Sequence, residues 1–233
     1  MAKRGPKPRR KEVLWSSELA YAVGLIATDG NLSKSGRHIE LTSKDKDQLK
    51  TFLHCIERPD VRITLKNGSY RKTITRVQVG DVTLYRFLLS IGLMPNKTKI
   101  LGRIAIPDKY FIDFVRGVFD GDGCSYSYYD SVFKNSFRFY ISFASASPSF
   151  LPWIQAGLFA RLGIKGYIND TKSSSYFQLK YSKREAITLS HGMYYRDGLP
   201  QLKRKYLKIM KSMRIIEAGR GGVIGKRAAF RTQ

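Results

Sequence analysis

The sequence predicts a mixed α/β fold of the α+β kind, in which one arrangement of helices and antiparallel strands is built twice. Three observations carry this. An apolar stretch ending in Asp-Gly occurs at residues 19–30 and again at 112–123. Each copy is followed by segments that alternate polar with apolar residues, the period-two signature of half-buried strands. The order helix, strands, helix, strands, helix after the first copy then recurs after the second, and a repeat over nearly the whole chain outweighs either motif alone.

The first stretch, Leu19 to Gly30, has Ser16 or Ser17 as N-cap and Glu18 at the positive helix start, with Gly30 as the expected C-terminal stop. Ala20, Gly24 and Thr28 fall at i, i+4 and i+8, a stripe of small residues that lets another backbone approach closely. Gly117 and Gly121 offer the matching stripe in the second copy, which Pro107-Asp108 would start. The simplest use of both stripes is to pack the two helices together.

Period two sets in at His38–Lys44, Val61–Lys66 and Lys72–Val79, with Asn67-Gly68 as a hairpin signal. Asp45–Ile56 and Val82–Ile91 read as helices between and after these strands. In the second half Phe137–Phe143, Ile164–Thr171 and Tyr176–Ser182 read as strands, and Phe150–Leu162 and Arg184–Tyr194 as helices. The exits also correspond: Gly92-Leu93-Met94-Pro95-Asn96-Lys97 aligns with Gly198-Leu199-Pro200-Gln201-Leu202-Lys203, pairing Lys97 with Lys203. The divisions that follow are a basic arm at 1–13, repeats at 14–98 and 108–217, a linker at 99–107, and a mobile basic tail at 218–233 after a basic helix at Tyr206–Glu217.

A chain of 233 residues can bury a substantial core, roughly 70–75% of its extended surface. Its 42 Lys and Arg against 18 Asp and Glu leave a formal charge of +24, which implies a polyanionic partner. Nucleic acid comes first and an anionic membrane second. No apolar run approaches the roughly 18 residues of a spanning helix, and the chain reads as soluble and intracellular, with no membrane partner. Cys55 and Cys124, with three histidines, form neither a disulfide framework nor a zinc-ligand spacing, so both are expected as reduced, packed thiols.

One Asp-Gly at a helix end is ordinarily only a stop signal. Two of them on helices packed side by side place Asp29 and Asp122 at negative dipole ends close to a like charge, an arrangement that opposes folding unless a cation neutralises it. With no His or Cys cluster nearby, oxygen-only ligation of Mg²⁺, completed by water and phosphate oxygens, is the natural chemistry. Such a cation could activate water and stabilise a leaving 3′ oxygen in phosphodiester hydrolysis. If Ile39, Leu41, Phe139, Ile141 and Phe143 face inward, the opposite strand faces present Glu40, Thr42, Lys44, Arg62, Thr64, Lys66, Arg76 and Gln78 in the first half. Arg138, Tyr140, Ser142, Lys165, Tyr167, Asn169, Gln178 and Lys180 do so in the second. This mixed polar face can read base edges, whereas a phosphate binder would need only cations.

Ala22–Gly30 and Val115–Gly123 lie over the nine-residue motif of the LAGLIDADG homing endonucleases, and residues 14–215 resemble that family's single-chain, two-repeat kind. The resemblance implies two pseudo-symmetric αββαββα repeats, a β-sheet saddle on the DNA major groove, and the two motif helices packed at the repeat interface of a monomer. It also implies that Asp29 and Asp122 bind the active-site metals, and that both strands of a long asymmetric duplex are cut. Mg²⁺ is the expected cofactor, with Mn²⁺ as a substitute and Ca²⁺ supporting binding without cleavage. Lys97 and Lys203 resemble the basic residues that flank the family's active site, with Lys99 or Lys205 as alternatives. Glu40 and Ser142 align with a polar position that orders solvent there. Ala27 replaces the first acid of the pattern, which Asp120 retains. Besides double-stranded DNA, intron RNA is a candidate partner, as for an RNA maturase, and a noncatalytic DNA-binding regulator could use the same scaffold.

Overall fold

The computed structural model describes residues 12–67, 73–169 and 176–229. The first repeat runs α1 (Ser17–Thr28), β1 (Gly30–Leu32), β2 (His38–Ser43), α2 (Lys46–Cys55), β3 (Thr64–Asn67), β4 (Thr73–Gly80) and α3 (Val82–Ser90). The second runs α4 (Phe111–Asp122), β5 (Gly123–Tyr129), β6 (Phe137–Ser145), α5 (Phe150–Leu162), β7 (Tyr167–Asn169), β8 (Phe177–Tyr181) and α6 (Lys183–Met193), followed by α7 (Lys203–Ala229). Each repeat forms a four-stranded antiparallel sheet, in the orders β1-β2-β4-β3 and β5-β6-β8-β7.

The duplication extends to strand register. Gly30 pairs with Leu41, which pairs with Val77; Gly123 pairs with Phe143, which pairs with Leu179. One residue along, Asn31, Glu40 and Gln78 form a row, as do Cys124, Ser142 and Lys180. Ile39, Leu41, Val77 and Val79 are buried on the core face of the first sheet, and Phe139, Ile141, Phe143 and Leu179 on that of the second. Helices cover only this face: α2 and α3 on the first sheet, α5 and α6 on the second, with α7 against β5. Among the described residues no helix covers the opposite face of either sheet.

The two motif helices form the most extensive contact in the molecule. The small-residue stripe is what permits it. A Cβ on Gly24 would meet Phe114 O, Val118 N and Gly117 Cα, and one on Gly117 would meet the backbone of Tyr21. Gly121 faces Thr28, whose hydroxyl is turned inward onto the Gly24 and Leu25 carbonyls at 3.1 Å. Ser16 caps α1, accepting from Leu19 N at 3.1 Å. α1 ends at Thr28 with Asp29 as its C-cap, so Gly30 follows the helix as the expected stop, though not in a left-handed conformation. Like Gly123, it leads directly into a strand, and its missing Cβ makes room for the preceding turn, where Ile26 Cα would lie 2.6 Å away.

Several sequence boundaries move. The expected 61–66 strand begins only at Thr64, so Arg62 precedes the sheet, and β7 is limited to Tyr167–Asn169, so Lys165 lies before it. Lys44 falls just beyond β2. Strands β1 and β5 were not among the periodic segments, although the alternation Ser125-Tyr126-Ser127-Tyr128 signals one. The helix expected at 206–217 runs from Lys203 to Ala229, so much of the supposed tail is helical. The hairpin joining β3 and β4 is present, while its turn lies outside the described residues. So does the basic arm up to residue 11, and Val13 at its end is buried in the core. The 99–107 connection is packed, with Leu101 and Ile104 buried and Ser147 Oγ donating to Leu101 O at 2.5 Å. Cys55 is buried as expected, but Cys124 is exposed, because it lies on the open face of β5. No described helix is long and apolar enough to cross a membrane.

Candidate active site and nucleic-acid face

Because α1 and α4 end side by side, Asp29 and Asp122 come close enough for the Asp122 charge to act on Asp29. Both are exposed, yet enough protein surrounds them to disfavour their charged forms. Asp29 is raised to about 6, chiefly by burial and then by the Asp122 charge, with Lys205, Lys97 and Arg204 opposing. Asp122 is raised by burial, opposed by Lys205 and Lys97. The mutual destabilisation argued from the motif spacing is therefore present, and two lysines offset part of it.

Lys97 is 6% exposed and donates to Gly30 O, the carbonyl immediately after Asp29. Burial lowers it to about 8, against the pull of Asp122 and Asp29. Its counterpart is Lys205 and not Lys203. The Lys205 ammonium donates to Phe119 O and Gly121 O at 2.8 Å and to Gly123 O at 2.7 Å, whereas Lys203 is exposed. Gly30 and Gly123 are equivalent in the two repeats, so Lys97 and Lys205 are equivalent too. The exit alignment slipped because Lys97 lies five residues after Gly92 while Lys205 lies seven after Gly198. Lys99 is exposed.

The longer second exit is held by α4 itself. Fully buried Arg116 donates to Met193 O at 3.0 Å and Pro200 O at 2.9 Å while pairing with Asp113 at 2.8 Å. Asp120 Oδ2 accepts from Leu202 N at 2.6 Å and from Tyr21 Oη at 2.8 Å. Asp120 thus ties both motif helices to the segment that delivers Lys205. Ala27 cannot do this in the first repeat, where Lys97 follows Asn96 in the left-handed conformation.

Lysine substitution separates the two alignments. Were the site to cleave a bound duplex, Lys205→Met would be expected to slow that step by about a hundredfold, the scale for losing a group aimed at developing charge. Lys203→Met should change it little. Single-turnover cleavage rates measure both, and equal effects would restore Lys203 to the site.

Among the described residues no group of three or more His, Cys, Asp and Glu forms. The protein therefore offers a divalent cation two carboxylates, and water and phosphate oxygens would have to complete its shell. That donor set fits a hard, oxygen-preferring ion such as Mg²⁺, which is commonly held by one or two carboxylates plus substrate phosphates. Protons compete for the same oxygens. With Asp29 at about 6, the apparent affinity for Ca²⁺ should fall as pH drops below about 6, two units higher than an ordinary aspartate would require. In the metal-free chain the sign for stability is the reverse of the usual carboxylate. The folded state holds the Asp29 proton more tightly, so its contribution declines as pH rises from about 4 to about 6. Calcium titration calorimetry and thermal unfolding at pH 5 and 7 check both.

Glu40, Thr42, Thr64, Lys66, Arg76 and Gln78 lie on the open face of the first sheet, and Arg138, Tyr140, Tyr167, Asn169, Gln178 and Lys180 on that of the second. Glu40 accepts from Lys66 at 2.6 Å and Arg76 at 2.9 Å. Ser142 shares this face but is only 2% exposed, so it is not available for contact as expected. The pairing of Glu40 with Ser142 as equivalent positions is reproduced by register. Sequence reasoning missed Tyr126 and Tyr128 on β5, which stack on Tyr140 with centroids 5.0 and 6.2 Å apart. The two faces are thus unlike: the first is ion-paired around Glu40, while the second carries a tyrosine cluster beside the Arg138–Asp130 pair at 2.9 Å.

A duplicated α+β domain whose repeats meet through two motif helices, each delivering an acid near a lysine that is buried (Lys97) or half-buried (Lys205), defines a pseudo-twofold two-sheet protein. The sequence profile of the LAGLIDADG-like domain matches residues 16–92 and 112–191, and the chain belongs to this family. Its fold is similar to that of mesophilic variants of the homing endonuclease I-DmoI, at 18% identity and a TM-score of 0.52, covering 77% of this chain and 96% of that one. It is also similar to the homing endonuclease I-WcaI bound to its DNA recognition sequence, at 12% identity and a TM-score of 0.59, covering 83% and 86%. A third similar fold is full-length DUF199/WhiA from Thermatoga maritima, at 14% identity and a TM-score of 0.54, covering 94% and 69%. I-DmoI has been solved with DNA and Mn and with DNA and Ca. No curated protein sequence matches the chain.

Proposed function

We propose that this chain is a site-specific, divalent-metal-dependent DNA endonuclease that cuts both strands of a long asymmetric duplex. The reading includes carriage by an intron or another mobile element. The observation that supports it most is the doubled site: Asp29 with Lys97, and Asp122 with Lys205, at equivalent positions of the two repeats. Two strands require two hydrolyses, and the repeats supply one acid and one lysine for each. A scaffold used for binding alone has no need of adjacent carboxylates with raised proton affinity.

In this reading the open sheet faces hold and orient the duplex over the helix ends, aided by the surplus of positive charge. Asp29 and Asp122 hold the cations, with Mg²⁺ as cofactor and Mn²⁺ as a substitute. A cation held there would supply activation of water and stabilisation of the leaving oxygen. Lys97 and Lys205, near the scissile phosphates, offset negative charge that builds there. DNA complexes of I-DmoI with Mn and with Ca agree with this choice of ions for a protein of the same fold.

Selection from a randomised duplex library tests the reading, by binding in Ca²⁺ and by cleavage in Mg²⁺. Enrichment of one long site that is cut only in Mg²⁺ is expected. Enrichment without cutting would leave a DNA-binding regulator, and no enriched duplex would turn attention to structured intron RNA.

A further inference from the structure

The open faces differ most tellingly at one pair of equivalent positions. Gln78 and Lys180 each lie one residue from the row that begins at Gly30 or Gly123, directly after an active-site aspartate. They stand at the same distance from the pseudo-twofold axis, on opposite sides. Lys180 is not a free lysine. Its ammonium lies 4.3 Å from the ring centroid of Tyr140, 5.1 Å from that of Tyr126 and 6.0 Å from that of Tyr167. Lysine normally has a long, mobile stem that gives a point charge with little directional preference. Three rings on the same sheet face restrict that freedom while the residue stays half-buried. Hydrogen bonding to the Tyr126 phenol raises the Lys180 pKa further above the usual range, so the group is charged.

Gln78 has no such enclosure. It is exposed, and the nearby Glu40 carboxylate is engaged by Lys66 and Arg76, which leaves the Gln78 amide without a partner among the described residues. The two groups have different chemistry toward a base edge. A lysine ammonium suits the paired acceptors O6 and N7 of guanine, and a carboxamide suits the donor and acceptor N6 and N7 of adenine.

We propose that Lys180 and Gln78 are a specificity-determining pair: they read guanine and adenine at two positions equally far from the target's centre, and so break its symmetry there. This rests on the endonuclease reading above, since it presumes duplex DNA on the open faces. It adds which residues discriminate, for which bases, and where. The positions belong to the inner part of the target, because both residues lie within one row of the helix ends that carry Asp29 and Asp122.

The test is duplex selection in Ca²⁺, which reads binding without cleavage. The full chain is compared with Lys180→Gln, Gln78→Lys and Tyr140→Leu. Lys180→Gln is expected to change the preferred base at one inner position from guanine to adenine, with preference shifted about tenfold and other positions intact. Gln78→Lys should make the reverse change at the mirror position. Tyr140→Leu should weaken the guanine preference without replacing it, because the ammonium is present but no longer held. If Lys180→Gln lowers affinity for every sequence alike, Lys180 is a phosphate contact and the proposal fails. An unchanged profile, or changes at positions unequally distant from the centre, also overturns it while leaving the endonuclease reading standing. If the unaltered chain enriches no duplex at all, that reading fails first and this one with it.

Discussion

Asp29→Asn or Asp122→Asn is expected to abolish double-strand cleavage, slowing it by on the order of a thousandfold or more, while binding of the duplex stays within about tenfold. Each substitution removes one of the two carboxylates available to a cation, and neither touches the open sheet faces. The two effects separate because asparagine keeps the shape of the helix end but cannot neutralise a divalent ion. The same substitutions should raise the stability of the metal-free chain at pH 7, because burial and the neighbouring acid disfavour the charge they delete. A structural role alone would give the opposite sign. Strand-resolved cleavage kinetics, filter binding in Ca²⁺ and thermal unfolding form the set of measurements. Full cleavage in either variant would remove that residue from the site.

The second large effect lies in the helix interface. A methyl group added at Gly117 would sit 2.9 Å from the Tyr21 carbonyl carbon and 3.0 Å from Gly24 Cα. At Gly24 it would sit 2.7 Å from Val118 N and 2.8 Å from Gly117 Cα. These neighbours are backbone atoms of a facing helix and cannot swing aside as a side chain could. Gly117→Ala and Gly24→Ala are therefore each expected to cost about 3 kcal/mol, the upper range for overpacking a close-packed contact. Gly102→Ala provides the control, since nothing lies within 4 Å of its added Cβ, and it should change stability by less than about 0.5 kcal/mol. Urea unfolding measures all three. Cleavage should fall with the first two, because the gap they force between α1 and α4 also separates the acids at their ends.

Most of the architecture was legible in the sequence because it rests on local signals that recur. The helix Phe150–Leu162 is found at its expected bounds, the strands at 38–43 and 137–145 follow from clear alternation, and that at 73–80 from a weaker one. Strands β1 and β5 escaped because the chain enters them directly from a helix at an Asp-Gly that reads only as a stop, and β1 is just three residues long. Arg62 and Lys165 were placed on strands by periodicity that continues past the point where hydrogen bonding stops. The length of α7 escaped because Gly219, Gly221 and Gly222 read as breakers, although helix propensity disfavours glycine by only about 1 kcal/mol each.

The sequence by itself determined the duplication, the side-by-side helices and the identity of the two acids, because each follows from spacing along the chain. A small-residue stripe lets a partner backbone approach closely, and the second motif repeats that stripe at the matching spacing. Tertiary structure decided what spacing could not: that Lys205 takes the place alignment gave to Lys203, that Ser142 is covered, and that Lys180 is enclosed by three tyrosines. The reason is the same in all three cases. These depend on which backbone atoms and rings lie across a gap, and two extra residues in a loop, anchored by Arg116 and Asp120, are enough to change which side chain reaches it.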